Sequence, residues 1–203
     1  ESEMIERGKL HYSVFANLII VALNIKPLAW VDDFLEKNKQ NITPVEKAYD
    51  AYLLNLAKVR FLQNKYKEAL ELVSQSTILD IYYIINSKIL KIKINYQLSL
   101  DKNTPDKQMI GILKMLESEI SSLKTYLSES NNPQNVSPMR FLSWQHFANL
   151  MLRLYNAHSS VYKRQALRAI EMRIAEILQK NERISELDWL NQKISSFKKN
   201  LRG

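Results

Sequence analysis

The stretch FLQNKYKEALELV, residues 61–73, decides the fold because it joins two helical patterns through a short polar segment. Apolar residues recur at helical spacing before it, and Ala69 and Val73 continue such a pattern after it. The joint itself, residues 64–66, is Asn-Lys-Tyr, which suits a turn and contains no glycine. The sequence therefore predicts a helical hairpin with its corner at Tyr66.

Composition extends this prediction to the whole chain. The 203 residues include only 3 Gly and 5 Pro, where average usage gives about 14 Gly and about 10 Pro. Few glycines and prolines mean few tight turns and few breaks, which favours long helices. Since no stretch alternates like a strand, the predicted fold class is all-α, an array of about nine helices.

The predicted helices follow the apolar spacing and the cap signals. Thr43 with Glu46, and Ser185 with Asp188, form capping-box patterns that predict the starts of the third and ninth helices. The third helix is expected to bury Val45, Tyr49, Tyr52, Leu53, Leu56 and Val59. The approximate ranges are 2–24, 28–38, 43–63, 66–73, 79–98, 105–127, 138–155, 163–178 and 185–200.

Residues 50–76 resemble one tetratricopeptide repeat, a helix–turn–helix unit of about 34 residues. Asn64 stands where the family usually has Gly, and the usual Pro at the end of the repeat is missing. Residues 79–98 are similar to the next helix in uncharacterised bacterial helical-repeat proteins. The residues that carry the resemblance are Leu53, Leu56, Ala57, Phe61, Tyr66, Ala69 and Val73.

The resemblance implies a right-handed α–α superhelix of stacked helix pairs, whose concave face receives a protein or peptide. A plain helical bundle is the alternative. We expect one domain over residues 1–203, forming the C-terminal part of a larger protein. The polar, breaker-rich segment 128–138 is a candidate hinge.

Motifs for catalysis, metals and cofactors are missing from the sequence. The chain has no Cys, its three His are not spaced as metal ligands, and its three glycines build no phosphate loop. The carboxylate pairs Asp32/Asp33, Glu117/Glu119 and Glu182/Glu186 read as solvated helix faces. We therefore expect a protein that is not an enzyme and uses no cofactor.

The most apolar run, residues 14–25, is interrupted by Asn17 and Asn24 and is too short for a bilayer, which needs about 20 residues. We expect no transmembrane segment. The absence of cysteine fits a reducing compartment, so the expected location is cytoplasmic, with a removed signal peptide as the open alternative.

The net charge of +8 is concentrated in the last third of the chain. Residues 1–129 carry 17 Lys/Arg and 16 Asp/Glu, whereas residues 130–203 carry 12 and 5. No acidic residue lies between Glu129 and Glu171. Such a region attracts acidic peptides or phosphate backbones.

Two functions follow as expectations, and the oligomeric state stays open. The first is a scaffold for protein–protein interaction, which binds a peptide, and an acidic one in particular, through the inner helices. The alternative is a nucleic-acid-binding module that uses residues 130–203. The scaffold would use Asn55, Lys58, Arg60, Lys88, Lys91 and Asn95. The patch for an acidic partner or nucleic acid comprises Arg153, Lys163, Arg164, Arg168, Lys198 and Lys199.

Overall fold

The protein is all-α, as the sequence predicts. The computed structural model describes residues 5–6, 8–77, 80–101, 103–129 and 136–201, and side chains from residue 8 onward. Within these residues nine α-helices pack against their neighbours. They are α1 (Tyr12–Ile25), α2 (Leu28–Asn38), α3 (Val45–Leu62), α4 (Tyr66–Ser74), α5 (Ile81–Leu98), α6 (Asp106–Glu129), α7 (Pro138–Ser159), α8 (Lys163–Gln179) and α9 (Leu187–Asn200).

Three short strands, which the sequence did not predict, form a small sheet. These are β1 (Ile5–Glu6), β2 (Lys9–His11) and β3 (Ile42–Thr43). β1 and β2 are antiparallel, and β2 runs parallel to β3. The strands are too short to show the alternation by which a strand is recognised in sequence.

The prediction that the first helix starts near residue 2 is therefore wrong. Gly8 has a φ of +81°, a left-handed conformation that interrupts any helix and turns β1 into β2. The helix starts at Tyr12, where the Nδ1 atom of His11 accepts a hydrogen bond from the Ser13 N–H at 3.4 Å. A histidine, which is an uncommon cap, thus sets the start of α1.

Two capping boxes were also predicted wrongly. Thr43 belongs to β3, and α3 begins after Pro44 with no side-chain cap. α9 begins after Glu186, whose φ of 57° is left-handed. The N–H of Ser185, which precedes the helix, donates to the carbonyl of Ser143 of α7 at 3.1 Å.

The chain divides into two compact units, Glu1–Leu116 and Glu117–Gly203, with the boundary inside α6. Each unit is described by itself below. Of the predicted hinge segment 128–138, residues 130–135 lie outside the described residues. The hinge, the single domain and the handedness of a superhelix stay predictions.

In the first unit α3 is the central helix and contacts α1, α2, α4 and α5. Leu53, Leu56 and Val59 are buried as predicted. Val45 and Tyr49 were predicted wrongly, since they are 79% and 62% exposed. The reason is that α3 enters the core only from Asp50, and its first turn contributes no buried residue.

The turn between α3 and α4 confirms the predicted hairpin. Asn64 has a φ of 62°, so an asparagine takes the left-handed position usually given to glycine. Its N–H donates to the Phe61 carbonyl at 3.0 Å, and the Lys65 N–H donates to the Arg60 carbonyl at 2.9 Å. This pair of bonds is a Schellman motif, which satisfies the last carbonyls of α3 and reverses the chain.

Tyr66 fixes the corner. Its ring lies 5.6 Å from the Phe61 ring, centroid to centroid. Its hydroxyl donates to the Asn64 amide oxygen at 2.6 Å and accepts from the Gln97 amide at 2.9 Å. One tyrosine therefore joins the end of α3, the turn and α5.

In the second unit α7, α8 and α9 contact one another in all three pairings. Apolar residues at helical spacing face inward from each helix. The buried positions include Phe147, Met151 and Leu154 on α7, Leu167, Ile170 and Ile174 on α8, and Leu190, Ile194 and Phe197 on α9.

We predict that Asn64→Ala is less stable than Asn64→Gly by about 0.5–1 kcal/mol. Both variants lose the hydrogen bond to Tyr66, so the comparison isolates the backbone. The left-handed conformation costs an alanine about 1–2 kcal/mol, while glycine loses about 0.5–1 kcal/mol through its greater chain entropy. Urea unfolding followed by circular dichroism measures the difference. Equal stability of the two variants would contradict the turn geometry.

Candidate functional site

A groove of about 770 Å³ lies in the second unit, along the helical hairpin formed by α7 and α8. The α7 side chains that line it include residues 146, 149, 150, 153 and 156, and those of α8 are 169, 172, 173, 176 and 177. Both sets recur every three or four residues, so each helix contributes one face. Lys124 of α6, on the second-unit side of the boundary, completes the lining.

The groove has an apolar floor and polar walls. Leu150 and Ile177 are 1% and 2% exposed and form the floor. Met172 is 58% exposed and offers a flexible apolar contact. Exposed Asn149 and Asn156 add amides that both donate and accept hydrogen bonds.

The groove carries more positive than negative charge. Arg173 pairs with Glu176 at 2.9 Å, so these two charges compensate each other. Among the described residues, no carboxylate forms an ion pair with Lys124 or Arg153. Two uncompensated cations beside apolar contacts suit a ligand that has carboxylates and apolar side chains.

His146 supports one wall of the groove. It is 8% exposed, and its Nε2 atom lies 2.8 Å from a carboxylate oxygen of Glu182. Glu182 follows Asn181, whose φ of 55° gives α8 a second Schellman ending. The pair ties α7 to the chain just past α8 and so fixes the width of the hairpin.

The structure buries two of the residues predicted to bind peptide. Asn55 is fully buried and donates from its amide to the Ala51 carbonyl at 2.8 Å. Asn95 is 2% exposed. Both side chains therefore lie within the packed core of the first unit, where a ligand on the surface does not reach them.

Arg60, another of the residues predicted to bind peptide, forms ion pairs with carboxylates of the neighbouring helices. Its Nη1 atom lies 2.6 Å from Asp32, and its Nε atom lies 2.6 Å from Glu68. Burial by itself raises the pKa of Asp32, but hydrogen bonds from Arg60 and Gln63 and the charge of Arg60 hold that pKa below its usual value. The network joins α2, α3 and α4.

The other three predicted peptide-binding residues, Lys58, Lys88 and Lys91, are partly exposed on α3 and α5. Lys58 donates to the Asn55 amide oxygen at 3.3 Å. Peptide binding by these lysines stays a prediction.

The predicted basic patch separates into two places. Arg153 lines the groove, whereas Arg164, Arg168 and Lys198 line a cavity of about 340 Å³ at α8 and α9. Lys198 forms an ion pair with Glu171. Lys163 is partly exposed, and Lys199 is exposed.

Sequence reasoning missed Lys124 and Arg173. Arg173 could have been found, because it borders the apolar stripe of α8, three residues after Ile170 and four before Ile177. Lys124 could not, because nothing in a single sequence tells which helix packs beside α7.

The comparisons with known proteins assign no family to the chain. No protein-family model matches it, and neither the search of curated proteins nor that of solved structures found a match. In the described part of the chain, no three His, Cys, Asp or Glu side chains come together to hold a metal ion. Of the helices described, none has the length and apolar content needed to cross a membrane.

The ring of His158 connects α7 to α9 and creates a pH dependence. It stacks on Phe197 with centroids 4.0 Å apart and planes 7° from parallel. Burial, with a contribution from the charge of Lys163, lowers the pKa of His158 to about 4. An unfolded chain has its histidine pKa near 6.5. Between these values the unfolded state binds a proton that the native state does not, so stability falls as the pH falls.

We predict that the second unit loses up to about 3 kcal/mol of stability between pH 6.5 and pH 4 through this residue. His158→Phe keeps the stacked ring and removes the titrating group. The stability that this variant loses over the same pH range should therefore be smaller by about 3 kcal/mol. Urea unfolding at several pH values measures the effect. If the stability of the variant and of the unaltered protein changed with pH in the same way, His158 would not be the source of the pH dependence.

Proposed function

We propose that the chain is a non-enzymatic protein-interaction module of the tetratricopeptide-like class, and that the groove along α7 and α8 binds an acidic segment of a partner protein. One observation carries the proposal: a groove of about 770 Å³ combines an apolar floor with the uncompensated cations Lys124 and Arg153. The volume lies within the range of about 300–1,000 Å³ typical of ligand sites.

The hairpin of α3 and α4 supports the part of the proposal that places the chain in the tetratricopeptide-like class. In that unit the second helix folds back on the first over small residues, and an aromatic side chain fills the corner. Ala57 and Ala69 are fully buried, and Tyr66 bonds to Gln97 of the following helix. Asn64 meets the requirement for a left-handed residue without glycine.

The chemistry of the lining supports binding rather than catalysis. The described residues that line the groove include no Ser, Thr, Cys or Tyr that could act as a nucleophile. His146 is 8% exposed and pairs with Glu182, so it acts in the wall of the groove as a structural residue.

The charge and shape favour a short amphipathic acidic peptide as the ligand. Met172 and Leu152 offer contacts to apolar side chains at the rim, and Lys124 and Arg153 attract carboxylates. Asn149 and Asn156 can bond to the peptide backbone.

The test uses a fluorescein-labelled synthetic peptide of about 15 residues, in which leucine pairs alternate with glutamates. We predict that Arg153→Ala or Lys124→Ala weakens its binding about tenfold, or about 1.4 kcal/mol, in fluorescence anisotropy. Replacing the glutamates of the peptide by glutamines should weaken binding to the unchanged protein by at least as much.

Arg168→Ala is the matched control, because it removes the same charge from α8 outside the groove. It should leave peptide affinity unchanged. If Arg153→Ala and Arg168→Ala weaken binding equally, or if the glutamine peptide binds as tightly as the glutamate peptide, the proposed site is wrong.

A further inference from the structure

A second basic surface lies at α8 and α9, apart from the groove. Its cavity of about 340 Å³ is lined by Arg164, Leu167, Arg168, Glu171, Lys198 and Leu201. None of these residues lines the groove. The two surfaces can therefore be altered independently.

Positive charge at this surface exceeds what its own carboxylate can compensate. Glu171 is the acidic residue among the lining side chains, and Lys198 already pairs with it. In the part of the chain that the structure describes, neither Arg164 nor Arg168 forms an ion pair. Two guanidinium groups thus remain without a compensating carboxylate.

The two arginines are placed to act together. They are four residues apart on α8, so they lie on one face about 5–6 Å apart at their Cβ atoms. Arg164 donates from one Nη2–H to the Leu201 carbonyl at 3.0 Å, which places its guanidinium at the C-terminal end of α9. A guanidinium has five donors, so most of its hydrogen bonds stay available.

The character of the surface favours phosphate over an acidic peptide. Leu167 is fully buried, so Leu201, which is partly exposed, is the apolar lining side chain that a ligand can reach at this cavity. The groove offers two such side chains, Met172 and Leu152, so a peptide has fewer apolar side chains to anchor on here. Arginine forks match phosphate oxygens in bidentate geometry. Lys163 and Lys199, the neighbours of Arg164 and Lys198 in the chain, add further cations for a long polyanion.

We propose that this surface binds the phosphate backbone of a nucleic acid, through Arg164 and Arg168, without reading its sequence. This binding is separate from the peptide binding of the groove. It requires a strand that carries successive phosphates, so affinity must depend steeply on salt.

The test titrates the full chain into a fluorescein-labelled duplex of about 20 base pairs and follows anisotropy at 50 and 200 mM KCl. With about three phosphate contacts, affinity should fall about 40-fold between these concentrations. Arg164→Ala/Arg168→Ala should weaken binding at least tenfold at 50 mM and reduce the slope of log affinity against log salt by about 2.

Three controls make the result decisive. Arg153→Ala, in the groove, should leave duplex binding unchanged. Arg164→Lys/Arg168→Lys keeps the charge but loses the fork, so it should keep the slope while weakening binding. Polyglutamate at equal charge should compete less well than unlabelled duplex. Circular dichroism checks that each variant is folded, which the exposure of both arginines favours.

The absence of duplex binding at 50 mM KCl would overturn the proposal. So would equal losses from the α8–α9 variant and from Arg153→Ala, since binding would then follow net charge alone. Equal competition by polyglutamate would assign the surface to acidic proteins instead.

Discussion

The close approach of α3 and α4 is the constraint on which the first unit depends. Ala57 and Ala69 have no exposed surface, and more contacts join these two helices than any other pair of elements described. Small side chains let helix axes come near each other, and the buried area then offsets the entropy of ordering the chain. The left-handed Asn64 makes the reversal short enough for this packing. The helices α1, α2 and α5 also pack against α3. The ion pair of Arg60 with Asp32 joins α2 to the pair formed by α3 and α4.

The sequence predicted elements whose signals are local. α2 begins and ends where its pattern indicates, at Leu28 and Asn38, and the corner at Tyr66 was visible because polar turn residues separate two helical stripes. Prediction from the sequence failed where distant parts of the chain come into contact. The strand at Ile42 pairs with Leu10, 32 positions away. From the sequence alone Asn55 was predicted to face outward, but the helices that pack around α3 bury it.

The candidate site shows the same difference between what local sequence signals predict and what tertiary packing decides. Arg153 was predicted because the acid-free stretch is a property of the sequence itself. Its separation from Arg168 could not be predicted, because it depends on how α7, α8 and α9 pack. Packing turns one basic region into two surfaces of different chemistry, one with apolar contacts and amides, the other with paired guanidinium groups. Surface area, charge and apolar content together decide what each surface binds.

The most direct measurement of the central claim compares Ala69→Leu with Lys67→Leu in urea unfolding. Both place the same side chain on α4, but Ala69 is fully buried and Lys67 is exposed. If close packing of α3 and α4 supports the first unit, Ala69→Leu loses about 1–3 kcal/mol of stability through overpacking. Lys67→Leu then stays within about 0.5 kcal/mol of the unaltered protein. Equal unfolding midpoints for the two variants would contradict the account.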